Sequence, residues 1–414
     1  MKLFDFIAKS PEAYHTVATM EEELQAQGYE RLYEDNVWHL PNEKYYVVRG
    51  DSSIIAFRLP GKMPEGFHIV AAHTDSPAFK IKEHPEVDVE KHYIKLNTEK
   101  YGGMLMSSWL DRPLSLAGRV TIQENGTCET KLLNVDRDLL VIPNLAIHMN
   151  REVNKGYTYE VAKDLCPLFA HEGTVRELIA SELKVKEEKI LGMDLFLYNR
   201  MAGTYLGKNQ EFICAPRLDD LQCVYAALQS FLITENPNKV SILAAFDSEE
   251  VGSGTRQGAG SDFLPNVLER IADAREMNRQ QYLSAVSRSF LVSADNAHGV
   301  HPNHTQKADT TNRPYLGGGV VIKYHGEGKY ITDGATGAWF KNLCQNAKVP
   351  YQEYFNHSDI VGGSTLGHIA TERMSMRGVD IGLAQLAMHS SYETAGAHDT
   401  EALIKALIAF YQES

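Results

Sequence analysis

Histidines and carboxylates stand directly behind the most apolar runs of this chain. FHIVAAH ends in His73, two residues before Asp75. VSILAAF is followed by Asp247, Ser248, Glu249 and Glu250, and SFLVSA by Asp295, with His298 and His301 just beyond. GLAQLAM leads into His389, and LDDLQCV opens with Asp219 and Asp220. Imidazole and carboxylate without thiolate suit zinc in a catalytic site, or manganese or cobalt in a harder one. A pair of metals about 3.5–4 Å apart needs a bridging carboxylate, terminal ligands on each side and a water between them. Those parts are all here. Side chains alternate along a strand, so His73 and Asp75 point the same way, and Asp75 is placed to take the second ring proton of a ligating His73. The neighbours Glu249 and Glu250 divide into one ligand and one general base with a raised pKa. Taken singly, each residue has a plainer reading. A lone histidine or an acidic pair is usually solvated surface, and Asp219 reads as a helix cap. Five element ends converging on one chemistry decide for a metal site.

The elements that carry these residues alternate strand and helix. VSILAAF, RSFLVSAD, GGVVIKY and VDIGLAQLA read as strands, as do YYVV and SIIAFRL nearer the N-terminus. LDDLQCVYAALQSFLI, SDFLPNVLERIADA, TGAWFKNLCQNA and a segment from Asp399 read as helices. Near-continuous apolar strands are buried on both faces, which predicts an α/β mixed sheet with helices on each side. In such sheets the functional residues gather beyond the carboxyl ends of the strands. The first helix is expected to start with Ser10 as cap and Pro11 at its first position, and to stop at Gly28. Between 87 and 207 the texture changes to alternating segments such as HYIKLN, GRVTIQ and ETKLLNV, with a hairpin signal at Asn125-Gly126 and one helix near 176–185. The expected organisation is a catalytic domain at 1–86 and 208–414, interrupted by a β-rich domain at 87–207.

Composition narrows the class. The 414 residues carry 41 Lys+Arg against 54 Asp+Glu, a net charge of −13, which argues against nucleic acid as a partner. No apolar run approaches the ~20 residues of a membrane span. Five cysteines without a C-x-x-C pair suit a reducing compartment, and the expected address is the cytoplasm.

Six segments, HTDSP at 73–77, SSWLDRPLSLAGRV at 107–120, PRLDDL at 216–221, DSEEVGS at 247–253, SADNAHGVHPNH at 293–304 and MHSSYE at 388–393, resemble the signatures of the aspartyl aminopeptidases, dinuclear zinc exopeptidases. The resemblance runs through nearly the whole chain in order. It implies a zinc-exopeptidase-like catalytic domain with two Zn2+ per subunit (Mn2+ or Co2+ sharing the same ligands), held by His73, Asp219 as the bridge, Glu250, Asp295 and His389. Glu249 would be the general base and Asp75 the orienting partner of His73. His298, Lys323 and Tyr330 would line the substrate pocket, with Lys323 pairing a substrate carboxylate. His148, on the β-rich insertion, would reach a neighbouring subunit's active site, and that insertion would carry the dimer contacts of a dodecameric cage. The implied activity is hydrolysis of the N-terminal residue of peptides, with a mild preference for Asp or Glu. An amide deacylase on the same scaffold and a catalytically silent cage are the alternatives. The chain departs from the family's RLDN at one point, reading Asp219-Asp220. The bridging residue is kept and a carboxylate is added beside it.

Overall fold

The computed structural model describes residues 1–413. Among them, the strands form two sheets, one of 13 strands and one of six. The middle of the larger sheet is a parallel set. Phe67–His73 lies between Val240–Phe246 and Phe290–Ala294, and Phe290–Ala294 pairs in turn with Arg377–Leu386. Antiparallel strands flank this set, Ser53–Arg58 on one side and Val320–Lys323 on the other. The mixed α/β architecture is therefore the one the apolar runs predict.

Period-two alternation explains the burial. In Phe67–His73, Val70 and Ala72 face the core packed by helices Ala13–Ala26, Leu218–Ile233 and Asp399–Gln412. Phe67, Ile69 and Ala71 face the opposite core, packed by helices Phe263–Ala274, Arg279–Ser287 and Leu366–Arg373. A strand covered on both faces has no polar side to spare. Its two histidines lie near its ends, His68 at the start and His73 at the close.

The six-stranded sheet has its own core, with Phe79, Trp109, Leu116 and Leu195 at its centre. Its hairpin turns at Asn125 and Gly126, with φ of 50° and 84°, the left-handed pair that a two-residue turn requires. The sheet begins with Ala78–Val89 and its last strand is Ile190–Asn199, whereas Thr204–Leu206 pairs back into the large sheet. The change of sheet thus falls near 78 and 200, not at the expected 87 and 207. Ala78–Val89 leaves the large sheet directly after the His73 turn, and its first residues are apolar like the strand before them, so no change of texture marks the junction.

The N-terminal helix also differs from expectation. The expected helix is present as Ala13–Ala26 and ends before Gly28, but it starts later and is capped by Glu12, whose carboxylate accepts from the backbone N–H groups of Tyr14 and His15, and an additional helix, Leu3–Lys9, precedes it. Ser10 instead closes the first helix, its N–H donating to the carbonyl of Ile7 at 3.2 Å.

Candidate metal centre

Each functional side chain sits where an apolar element ends. His73 is the last residue of Phe67–His73, Glu249 and Glu250 open the turn after Val240–Phe246, and Asp295 follows Phe290–Ala294. His389 stands just past Arg377–Leu386, and Asp219 lies at the start of Leu218–Ile233, where its backbone is not yet helical. Adjacent parallel strands bring these ends to one edge of the sheet.

The geometry around Asp219 is two-sided. Its Oδ1 lies 3.5 Å from His73 Nε2, which is also 3.7 Å from Asp295 Oδ1. Its Oδ2 lies 3.5 Å from His389 Nε2, itself 3.4 Å from Glu250 Oε2. Ligand atoms at zinc bond lengths of about 2.0–2.1 Å around a tetrahedral ion stand roughly 3.3 Å from one another. The donor spacings match. Asp219 does not cap its helix: its Oδ1, with Oδ1 of Asp220 and Oε1 of Glu250, is buried without a hydrogen-bond partner. Buried carboxylate oxygens left unpaired call for a cation. Three sets of donors qualify as metal sites among the described residues: His73 with Asp219, Asp220 and Asp295; His73 with Glu249 and Glu250; and Asp219 with Glu250 and His389. The residues present fit a hard or borderline divalent metal.

Electrostatics agree. Burial pushes Glu250 well above the usual carboxylate range, and the Asp219 carboxylate adds to the rise. Burial likewise raises Glu249, to about 8, with Asp295 and Asp75 as like-charged neighbours. Burial works against protonation of His73, yet the carboxylates of Asp220, Asp219 and Asp295 hold its imidazole well above the ordinary value. Negative charge exceeds what the side chains balance, and divalent cations would relieve it.

Asp75 does more than orient a ring. His73 Nδ1 faces the Asp75 carbonyl at 3.0 Å and its Oδ1 at 3.4 Å, which leaves Nε2 for the site. The Asp75 carboxylate also accepts from the backbone N–H groups of Glu249 and Glu250, both at 3.1 Å, and from the Tyr101 hydroxyl at 2.7 Å. One carboxylate ties the His73 turn to the Glu249–Glu250 turn and to a tyrosine of the second sheet.

A cavity of about 160 Å³ opens beside the cluster, lined by His298, Lys323, Tyr330 and Tyr354 among others. Lys323 is there, but not as a free cation. It is buried, and its ammonium donates to the Asp295 carbonyl at 2.9 Å, Asp295 Oδ2 at 3.2 Å and the Asn296 carbonyl at 3.4 Å. Although burial disfavours the ionised form, Lys323 keeps the Asp295 carboxyl well below the usual range. The expected open cation of the pocket is thus already spoken for, because the strand Val320–Lys323 packs it against the Asp295 turn. His148 is exposed on the second sheet's loop, and the single chain does not bring it to the cluster.

One residue of the centre escaped the sequence reading. Glu393 is buried, with Oε1 accepting from His389 N–H at 2.7 Å and Oε2 from Asp219 N–H at 2.9 Å. Burial raises it to about 8. Its only signal was position, four residues behind His389 as the sole carboxylate of MHSSYE.

A buried cluster of imidazole and carboxylate at the edge of a mixed α/β sheet is a candidate site for a divalent metal. The chain belongs to the M18 family, the aminopeptidase I zinc metalloproteases, whose family model matches residues 6–411. It is 44% identical over 422 residues to a probable M18 family aminopeptidase 2 of Clostridium novyi, covering 99% of this chain and 98% of that one. Among solved structures it is similar to a chain of the Ape4 and Nbr1 complex, with a TM-score of 0.95 and 34% identity over 99% of this chain and 84% of that one. The S. cerevisiae mApe1 dodecamer gives a TM-score of 0.87 at 26% identity, over 99% and 95% of the two chains. The chain is accordingly a zinc-family metallo-aminopeptidase by descent. Among the described residues, no helix is long and apolar enough to cross a membrane.

Proposed function

We propose that this protein removes the N-terminal residue of peptides at a centre of two zinc ions held by His73, Asp219, Glu250, Asp295 and His389, with Asp219 shared between them. The supporting observation is Asp219 itself, one oxygen turned to His73 and Asp295 and the other to His389 and Glu250. Zinc bound there would supply Lewis acidity to the attacking water and to the scissile carbonyl. Glu249 takes the proton of that water and returns it to the leaving amine, a task suited to a carboxylate whose pKa burial has raised to about 8. Asp75 holds His73 in the tautomer that leaves Nε2 facing the site. The acidic cluster attracts the substrate's free α-ammonium, which restricts cleavage to the first residue. Lys323 and Tyr330 form the wall that meets the first side chain. A cation already bonded to Asp295 and Asn296 offers field more than a direct partner, so a preference for N-terminal Asp or Glu is mild. By similarity to the mApe1 dodecamer, the chain assembles into a closed homo-oligomer, in which His148 of one subunit serves the oxyanion of its neighbour.

The test is turnover of Asp-, Glu-, Leu- and Lys-anilides, and of their N-acetyl forms, by zinc-loaded protein and by Glu249→Gln, with the zinc content of each measured. The expected result is cleavage of free-amine substrates only, two zinc ions per chain, and a loss of about 10²- to 10⁴-fold in the variant. Cleavage of the N-acetyl substrates would overturn the aminopeptidase reading. Equal or faster turnover of the Leu and Lys substrates would retire the acidic preference alone.

A further inference from the structure

The catalytic cavity does not end at His298. A second groove of about 310 Å³ continues from it, sharing His298, Tyr354, Gly363 and Met388 as a common wall. Its lining includes His301, His304 and Lys307 together with Phe355, Ile360 and Val361. Its chemistry is opposite to that of the metal centre. The chain has 54 Asp and Glu against 41 Lys and Arg, yet none of the residues lining the groove is acidic. Asp309 and Asp359, close by in sequence, are not part of the lining, and Asp309 is engaged locally. Its Oδ1 accepts from the backbone N–H groups of Thr311 and Asn312 at 3.1 and 2.8 Å. Apolar side chains in the lining are open to solvent, with Ile360 40% and Val361 88% exposed.

We infer that this groove receives the part of the peptide beyond the scissile bond and selects for a carboxylate there, with Lys307 as its cationic contact. The inference rests on the aminopeptidase reading, because only an exopeptidase leaves the remaining peptide extending out of the site in one direction. Three features carry it: continuity with the catalytic cavity, a carboxylate-free lining on an acidic protein, and a lysine set in that lining among exposed apolar side chains. A carboxylate on the leaving side comes from an acidic side chain or from the end of a short peptide, and both present the same group to Lys307.

Peptides of the form X-Ala-Ala-Glu and X-Ala-Ala-Gln, each amidated, and X-Ala-Ala-Ala with a free or amidated end separate these sources. X is the N-terminal residue turned over fastest. The ratio of kcat/KM between the members of each pair is read within one enzyme, so a general loss of activity cannot imitate the effect. Binding of labelled Ala-Ala-Glu and Ala-Ala-Gln, read by fluorescence anisotropy, needs no turnover. The expected preference for the carboxylate is about three- to fivefold in wild type, the scale of an exposed ion pair, and it falls to unity in Lys307→Gln. A preference for Glu places a side chain at Lys307, and one for the free end places the chain terminus there. Equal ratios in wild type, or a preference that survives Lys307→Gln, would overturn the inference. If no peptide is cut while labelled Ala-Ala-Glu still binds through Lys307, the groove stands and the aminopeptidase reading falls.

Discussion

In the proposed metal centre, Glu393 would act on the ligands without being one. Its two oxygens hold the backbone N–H groups of Asp219 and His389, residues far apart in the chain that face each other across the site. His389 has a positive φ of 66°, so its backbone is strained as well as pinned. Replacing one carboxylate oxygen with an amide, in Glu393→Gln, sets a donor against a donor at one of the two N–H groups. Zinc affinity is expected to fall by about 10- to 100-fold, the usual cost of losing an outer partner of the ligands. Competition against a chromophoric chelator measures it. Excess zinc should restore much of the kcat, which loss of a ligand itself would not allow. The ligand types were legible in the sequence because His and acid follow apolar runs, a pattern that survives without coordinates. Glu393 was not, since its partners are backbone groups that only folding brings together. Lys323 was placed in the right cavity with the wrong freedom. Nothing in VIKY tells that the strand's last residue turns inward to Asp295.

At the scale of elements, the parallel strands were read from their apolar runs because both faces are covered and the pattern has no polar gaps. The junctions between the sheets were harder. Ala78–Val89 follows the His73 turn after only four residues, yet pairs with Tyr93–Tyr101 in the other sheet. What joins the two parts is partly ionic. Within the second sheet Asp194, on Ile190–Asn199, accepts from Lys80 at 2.7 Å and from Arg119 at 3.0 Å, and Arg119 so held crosses to the large sheet, donating to Asp51 Oδ2 at 3.2 Å and to the Gly50 carbonyl at 2.9 Å. Although burial opposes ionisation, the lysine and arginine lower the Asp194 pKa. A carboxyl with a depressed folded-state pKa stabilises above its unfolded value, near 3.9, and the contribution disappears as pH falls through the folded value. Asp194→Asn should therefore lower the thermal midpoint at pH 7, through a loss of about 1 kcal/mol for a part-exposed pair. The gap between variant and wild type should narrow only below about pH 4. A constant gap down to pH 3 would assign the loss to packing and not to charge. The Ser10 expectation failed for a local reason: Glu12 offers one oxygen to the Tyr14 N–H and the other to the His15 N–H, and a serine two residues earlier has no geometry to compete.

For the whole molecule, the single chain leaves one expectation without a place to act. His148 is exposed on a loop that also exposes Leu145, Ile147 and Met149, with Met149 at 75%. Apolar side chains clustered on one loop are costly in water and are commonly covered by another surface. The proposed oligomer would cover them and carry His148 into a neighbour's site. That arrangement has a consequence that no single-chain mechanism shares. Glu249→Gln removes the base of a subunit but leaves its His148 free to serve the neighbour, whereas His148→Ala does the reverse. Each variant alone is expected to be nearly inactive. Unfolded together at equal amounts and reassembled, they should recover about a quarter of wild-type turnover if histidines are exchanged pairwise. Such recovery follows because half the subunits keep Glu249, and half of those meet a partner that keeps His148. The size of the particles, followed by light scattering through the same mixing, must stay at the wild-type value for the comparison to hold. Recovery at unchanged size means that the histidine works across the interface. Two inactive variants that stay inactive after mixing would confine His148 to its own subunit, whereas His148→Ala that is fully active alone would place His148 outside the chemistry and leave the exposed loop to assembly.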